Sequence, residues 1–129
     1  MQLGLIGLGK MGGNMRERLR LAGHEVIGYD INPAVSDVKS LAELVKKLEG
    51  PRIVWTMVAA GQITRDTVQF MVDEAKRLGG KYKACILIGD LGDVNAIQRR
   101  DGFFDIVDKH KDMIEVVARV STEWNADKA

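Results

Sequence analysis

The stretch GLIGLGKMGGNM, residues 4–15, lies near the start of this 129-residue chain and decides how the rest is interpreted. An apolar run leads into closely spaced glycines, and these lead into a segment with Met11, Met15 and Leu19 at four-residue spacing. This pattern predicts a buried strand, a tight turn and an amphipathic helix. Residues 7–12 also match G-x-G-x-x-G, which in that context is typical of a loop that holds the pyrophosphate of a dinucleotide.

Each glycine of such a loop has its own physical role. One allows the tight turn, one lets the backbone approach the pyrophosphate, and one lets helix and strand pack closely. The helix N-terminus offers free N–H groups and a partial positive charge to the phosphates. Asp30 ends the next predicted strand about 20 residues further on, where an acid would hydrogen-bond a ribose. Alternatively, the glycines serve only packing, and Asp30 only begins a turn with Asn32 and Pro33.

Composition excludes several classes of function. The formal net charge is +1, from 19 basic and 18 acidic residues, which favours neither nucleic acid nor a membrane surface as partner. No apolar stretch approaches membrane-spanning length, so we expect a cytoplasmic protein, and a monomer. Cys85 is the one cysteine, and its surroundings ACILIG predict a buried strand. The two histidines lack metal-ligand spacing, so no metal site is expected.

Strand-like and helix-like patterns alternate five times along the chain. This alternation predicts one α/β domain over residues 1–129, a doubly wound five-stranded parallel sheet of the flavodoxin-like or Rossmann-like type. The runs ACILI and RIVW, which place Trp55 in the core, indicate a sheet covered on both faces. Ser40 and Glu43 predict a capping box at the start of one helix. Ligands of such a sheet bind beyond the strand ends, here after Gly7, Asp30 and Val58.

The segments MQLGLIGLGKMGGNM, AGHEVIGYDINP and SLAELVKKLEGPRIVWTMV closely resemble the N-terminal domain of the decarboxylating 6-phosphogluconate dehydrogenases. The resemblance covers residues 1–64 and implies a nicotinamide dinucleotide site, with the glycines at the pyrophosphate and Asp30 at the adenosine ribose. Members that use NADP often carry Asn-Arg-Ser/Thr after the second strand. A carboxylate at Asp30 would instead repel a 2′-phosphate, so NAD is favoured. The candidate cofactor-binding residues are Gly7, Leu8, Gly9, Lys10, Met11, Gly12, Asp30, Asn32 and Val58.

The chain also departs from that family. A further helix and strand usually follow the second strand, whereas here only residues 34–39 separate it from the helix SLAELV. This shortening predicts a strand order of 2-1-3 for the first half. It also predicts weak binding, because the shortened segment normally helps to cover the adenine and pyrophosphate contacts alone rarely suffice in water. The catalytic lysine and asparagine of the family match nothing here, so we name no catalytic residue and expect no enzyme activity.

Residues 58–129 resemble a different family, the C-terminal lobe of ribose-type periplasmic sugar-binding proteins. The markers are the loop GDLG at 89–92, the run RRDGF at 99–103, and Trp124-Asn125. This resemblance implies that Arg99 contacts sugar hydroxyls, although a solvated helix residue is the plainer interpretation because the second lobe is absent. Two more strands from this lobe would complete the order 2-1-3-4-5.

The two resemblances overlap between Val58 and Asp66, which leads to three hypotheses. The main one is an engineered fold chimera of residues 1–64 and 65–129, expressed recombinantly, without catalytic activity and with at most weak NAD binding. It would require no cofactor. The alternative is a functional NAD-binding module of a dehydrogenase, and the third is a sugar-binding half-lobe.

Overall fold

The structure is a computed structural model that describes residues 1–123, 125 and 127. Strands and helices alternate along the chain, which confirms the predicted α/β, Rossmann-like class. The elements are β1 (Gln2–Ile6), α1 (Lys10–Leu21), β2 (Glu25–Tyr29), α2 (Leu41–Lys47), β3 (Val54–Thr56), α3 (Gln62–Leu78), β4 (Tyr82–Ile88), α4 (Val94–Val107) and β5 (Ile114–Ser121). No helix in this part of the chain is long and apolar enough to cross a membrane.

The chain divides into two compact units, Met1–Val58 and Ala59–Ala129. In the first unit, β1 pairs in parallel with β2 on one side and β3 on the other. In the second unit, β4 pairs in parallel with β5. That residues 1–129 form one domain stays a prediction.

The predicted single five-stranded sheet in the order 2-1-3-4-5 is wrong, because the strands form separate sheets of three and two. Two parts of the predicted order are observed: the first sheet has the order β2-β1-β3, and β4 pairs with β5 in the second. In the first sheet β3 is only three residues long and pairs with β1. In β4, exposed side chains alternate with half-buried ones, which is typical of a sheet covered on one face.

The core of the first unit lies on both faces of its sheet. On one face Leu5 and Leu8 are buried and Met15 of α1 packs against them. On the other face Leu44 and Leu48 close over the strand so tightly that a Cβ at Gly4 would contact both leucines. The burial of these side chains, at about 1.5–3 kcal/mol each, fixes α1 and α2 against β1.

The predicted cap of α2 is confirmed in part. The Ser40 hydroxyl accepts a hydrogen bond from the Glu43 N–H at 3.1 Å. The Glu43 carboxylate does not return to Ser40 but accepts from the N–H of Lys39 at 2.8 Å. That bond, together with one from Lys47, holds the pKa of Glu43 below its usual range.

Two residues predicted in the core are exposed. Cys85 is exposed because it occupies an outward position of the alternating strand β4. Trp55 is 41% exposed because α1 packs on β1 and β2 and leaves this face of β3 without a covering helix in the first unit. In the second unit Val72, Val107 and Ile114 form a buried hydrophobic cluster between the helices and one face of the β4–β5 pair.

Candidate functional site

Packing requires two glycines of the turn between β1 and α1. Gly7 has a φ of +91°, which L side chains rarely adopt, and its N–H donates to the carbonyl of Tyr29 at 2.9 Å. A Cβ there would collide with the carbonyl of Met57. A Cβ at Gly12 would collide with the carbonyl of Gly7. For these two positions, the alternative that the glycines serve tight packing is sufficient.

Gly9 is different, because neither backbone strain nor packing requires a glycine there. Its φ of −61° and ψ of −168° are accessible to any residue. Apart from Gly9 and its two chain neighbours, no heavy atom lies within 4 Å of the position a Cβ would take. Gly9 is the N-cap of α1, where Ser, Thr, Asp, Asn and Gly are the favoured residues, and Gly alone among them has no side-chain oxygen above the first amides. The space above the helix N-terminus is therefore left open.

The first turn of α1 presents its amides to that open space. The N–H of Gly13 donates to the carbonyl of Gly9 at 2.8 Å, so the helical ladder begins there. The preceding amides, those of Lys10, Met11 and Gly12, come before any intrahelical acceptor. No acidic residue lies in the first turn, and Lys10 and Met11 are exposed. The helix end is therefore suited to an anion such as a phosphate.

Asp30 joins this turn to the segment after β2. One carboxylate oxygen accepts a hydrogen bond from the N–H of Leu8 at 2.7 Å, and the other accepts from the N–H of Asn32 at 2.8 Å. Asp30 is half-buried, and its own N–H donates to the hydroxyl of Ser36 at 3.1 Å. The predicted acid thus lies beside the predicted pyrophosphate loop.

The shortened segment after Asp30 is held against the outer edge of β2. The carboxylate of Asp37 accepts from the N–H of Gly28 at 2.7 Å, and the N–H of Asp37 donates to the carbonyl of Gly28 at 2.9 Å. Arg20 donates to the same carboxylate at 2.6 Å, and Arg16 donates to the carbonyl of Val35 at 2.7 Å. At this edge of the sheet, Asp37 and two arginines of α1 bind the strand and the segment beside it.

The sequence reasoning missed this cluster. The run Arg16, Arg18 and Arg20 has a spacing of two, which predicts side chains spread around the helix, but Arg16 and Arg20 are four apart and share one face. That spacing, together with an acid in the following loop, was the available signal.

The structure brings most of the predicted residues together. Residues 7–12 form the turn, and the Asp30 carboxylate is hydrogen-bonded to it at Leu8. The same carboxylate accepts a hydrogen bond from the N–H of the exposed Asn32. The backbone nitrogen of Val58 lies 3.3 Å from the position that a Cβ on Gly7 would take. Arg99 is an exposed residue of α4 in the second unit. Trp124, a marker of the sugar-binding resemblance, lies outside the described residues.

An apolar groove of about 480 Å³ runs along α1 beside this turn. Its lining is Met11, Asn14, Met15, Arg18, Leu19, Trp55 and Met57. The groove exists because β3 is uncovered, and Met11 connects it to the first turn of the helix. Among residues 1–123, 125 and 127, no three His, Cys, Asp or Glu side chains gather into a group that could hold a metal ion.

The family model for the NAD binding domain of 6-phosphogluconate dehydrogenase matches residues 2–99. The "Putative 6-phosphogluconate dehydrogenase YqeC" of Bacillus subtilis is 41% identical over 70 residues, which are 47% of this chain and 24% of that protein. The "6-phosphogluconate dehydrogenase, NAD(+)-dependent, decarboxylating" of Haloferax volcanii is 39% identical over 77 residues, which are 53% of this chain and 26% of that protein. The matched part thus spans about a quarter of these curated relatives.

A crystal structure from Mycobacterium smegmatis aligns over 95% of this chain and 54% of its own, with a TM-score of 0.42 and 16% identity. A likeness at this level adds nothing to the assignment.

These findings overturn the hypothesis of an engineered, non-functional chimera. The match to one family continues to residue 99, past the overlap of 58–66 where two resemblances had suggested a joint. The comparisons give no support to the sugar-binding lobe, and they favour the alternative of an NAD-binding module. The chain belongs to the family described by the NAD binding domain of 6-phosphogluconate dehydrogenase.

Proposed function

We propose that the first unit binds NAD at the turn formed by residues 7–12, as the nucleotide-binding part of a dehydrogenase similar to 6-phosphogluconate dehydrogenase. The observation that carries this proposal is Gly9. At Gly9 there is room for a side chain, and the backbone conformation is one that any residue adopts, yet this N-cap position carries no side chain. A ligand phosphate that needs close approach to the helix amides accounts for that glycine, whereas packing within the protein does not.

In this proposal each candidate residue has a defined task. The amides of the first turn of α1 bind the pyrophosphate, and the exposed Lys10 adds a positive charge next to it. Asp30 accepts a hydrogen bond from a hydroxyl of the adenosine ribose. Each of its oxygens receives one N–H from the protein, and a carboxylate oxygen can accept a second donor. Asn32 and Val58 flank the adenosine and nicotinamide sides.

We also propose that NAD is preferred to NADP. A 2′-phosphate carries about two negative charges and would place them next to the Asp30 carboxylate. The N–H groups of Leu8 and Asn32 hold that carboxylate in place. Repulsion between these charges would weaken NADP, whereas the 2′-hydroxyl of NAD can donate to the same oxygen.

Hydride transfer and the substrate 6-phosphogluconate are proposals for a whole dehydrogenase, and we expect no hydride transfer from these residues alone. The protein should therefore not reduce NAD when 6-phosphogluconate is added. If NAD were reduced, which would appear as a rise in absorbance at about 340 nm, this expectation would be overturned. A monomeric state and a cytoplasmic location stay predictions.

The test of NAD binding is an NMR titration of amide chemical shifts with NAD and, in parallel, with NADP. We expect shifts centred on residues 7–12 and Asp30, with tighter binding of NAD. The variant Gly9→Asp, which places a carboxylate at the pyrophosphate position, should abolish these shifts. Wild-type protein without shifts at millimolar NAD would overturn the proposed function.

A further inference from the structure

We infer that Asp30 is a positioning residue for the glycine turn, in addition to any contact it makes with the ribose. Its carboxylate holds the N–H of Leu8 and so fixes the backbone between Gly7 and Gly9 before a ligand arrives. This inference rests on the proposed function.

The geometry shows why the turn needs this bond. The parallel ladder between β1 and β2 runs to the pair Ile6 and Tyr29, and the N–H of Gly7 still donates to the carbonyl of Tyr29. The next amide, that of Leu8, lies beyond the main-chain ladder. The Asp30 carboxylate supplies the acceptor at that point, as a charged bond of 2.7 Å.

The same carboxylate controls two turns at once. Its other oxygen accepts from Asn32, so the pyrophosphate side and the adenosine side of the site share one anchor. Leu8 itself is fixed at both ends, since its side chain is 5% exposed within the core and its N–H is held by Asp30. Removal of the carboxylate should therefore loosen the backbone of residues 7–9, while the side chain of Leu8 stays in the core.

A suitable choice of ligand distinguishes this positioning role of Asp30 from a direct contact with the ribose. An Asp30 that only contacts the ribose has no effect on a dinucleotide that lacks both hydroxyls of the adenosine ribose. A positioning Asp30 affects every ligand that uses the turn, because the amides of that turn are no longer held ready.

The experiment compares wild type and Asp30→Ala with NAD and with a deoxy ligand, NAD that lacks both the 2′- and the 3′-hydroxyl of the adenosine ribose. We expect the variant to bind the deoxy ligand about tenfold more weakly than wild type does, since a bond to a charged acceptor has been lost. Equal affinity of the two proteins for the deoxy ligand would overturn the inference. Asp30→Asn, which keeps one acceptor oxygen, should fall between them.

The matched control is Asp90→Ala. Asp90 also accepts a backbone N–H two residues ahead, that of Gly92 at 2.7 Å, in a glycine-containing loop of the second unit. Its loss removes the same kind of bond away from the glycine turn, so NAD affinity should match that of wild type. A similar loss of affinity in both variants would point to general destabilisation and would overturn the assignment to Asp30.

A second readout needs no ligand. Amide hydrogen exchange at Leu8 should be faster in Asp30→Ala than in wild type, with the exchange of β1 unchanged. Unchanged exchange at Leu8 would overturn the inference even if NAD binds. If wild-type protein fails to bind NAD, the proposed function falls, whereas slow exchange at Leu8 that depends on Asp30 would still support the positioning role.

Discussion

Replacement of Gly9 by serine should raise stability and weaken NAD binding at the same time. The backbone at Gly9 already has the extended conformation of an N-cap, and no atom beyond its chain neighbours lies within 4 Å of the Cβ position. A serine Oγ can therefore accept from the N–H of Met11 or Gly12 without strain. These are the amides that we assign to the pyrophosphate, so the new side chain competes directly with the ligand.

The two effects can be estimated separately. Serine caps a helix better than glycine by a few tenths of a kcal/mol, and removal of a glycine from the unfolded chain contributes about 0.4–1 kcal/mol. Together these raise the free energy of unfolding by about 1 kcal/mol and Tm by a few degrees. Loss of one hydrogen bond to a charged phosphate costs about 1.5–3 kcal/mol of binding free energy. The Kd for NAD should therefore rise by about tenfold or more.

The assay pairs thermal unfolding of the ligand-free protein with calorimetric or NMR titration of NAD. Gly80→Ala is the control, because Gly80 also has open space around its Cβ position and no positive φ but lies in the second unit. It should gain similar stability and keep the wild-type Kd. The reasoning is refuted if Gly9→Ser binds NAD as tightly as wild type, or if it unfolds at a lower temperature.

Three further predictions concern single residues. Gly12→Ala should destabilise the fold by about 1–3 kcal/mol in denaturant titration, because its Cβ would collide with the backbone carbonyl of Gly7; unchanged stability would contradict the packing described. Ile31→Arg, at a side chain 85% exposed, should leave Tm unchanged and lower the ratio of the NADP Kd to the NAD Kd by about tenfold through attraction of the 2′-phosphate; an unchanged ratio would place the adenosine elsewhere. The pKa of Glu43 is lowered, first of all by the hydrogen bond from the N–H of Lys39. The ionised carboxylate therefore stabilises α2 fully at a pH above 4.5, the ordinary pKa of the group. This contribution is lost as pH falls through the lowered pKa, so the acid limb of an unfolding curve should flatten in Glu43→Gln, and an NMR-measured pKa at or above 4.5 would refute the point.

The sequence predicted best what nearby residues determine. The strand, turn and helix around Gly9 follow from spacing within a dozen residues, and Ser40 marks a helix start through its own side chain. Asp30 was predicted from its distance to the glycines, and the structure places it against Leu8. In each of these cases the local signal and the final position depend on the same few residues.

Features that depend on distant neighbours were mispredicted. An apolar run such as ACILI reads the same whether one face of its strand is covered or both, so the exposure of Cys85 could not be inferred from it. The exposure of Trp55 depends on whether a helix covers that face of β3, which the sequence of β3 does not show. Strand pairing is a property of remote segments, and no local pattern in β3 or β4 encodes it.

The aspartate and arginines along the outer edge of β2 have a consequence for association between molecules. An open strand edge is a template onto which another chain can add, and many sheets protect it with charge or with a covering loop. Here Asp37 takes both polar groups of Gly28, while Arg20 takes the carbonyl of Val26 at 2.7 Å. A strand arriving from solution would have to displace this charged network before it could pair with these backbone groups of Gly28 and Val26. The segment after Asp30 thus also protects this edge of the sheet against pairing with another chain.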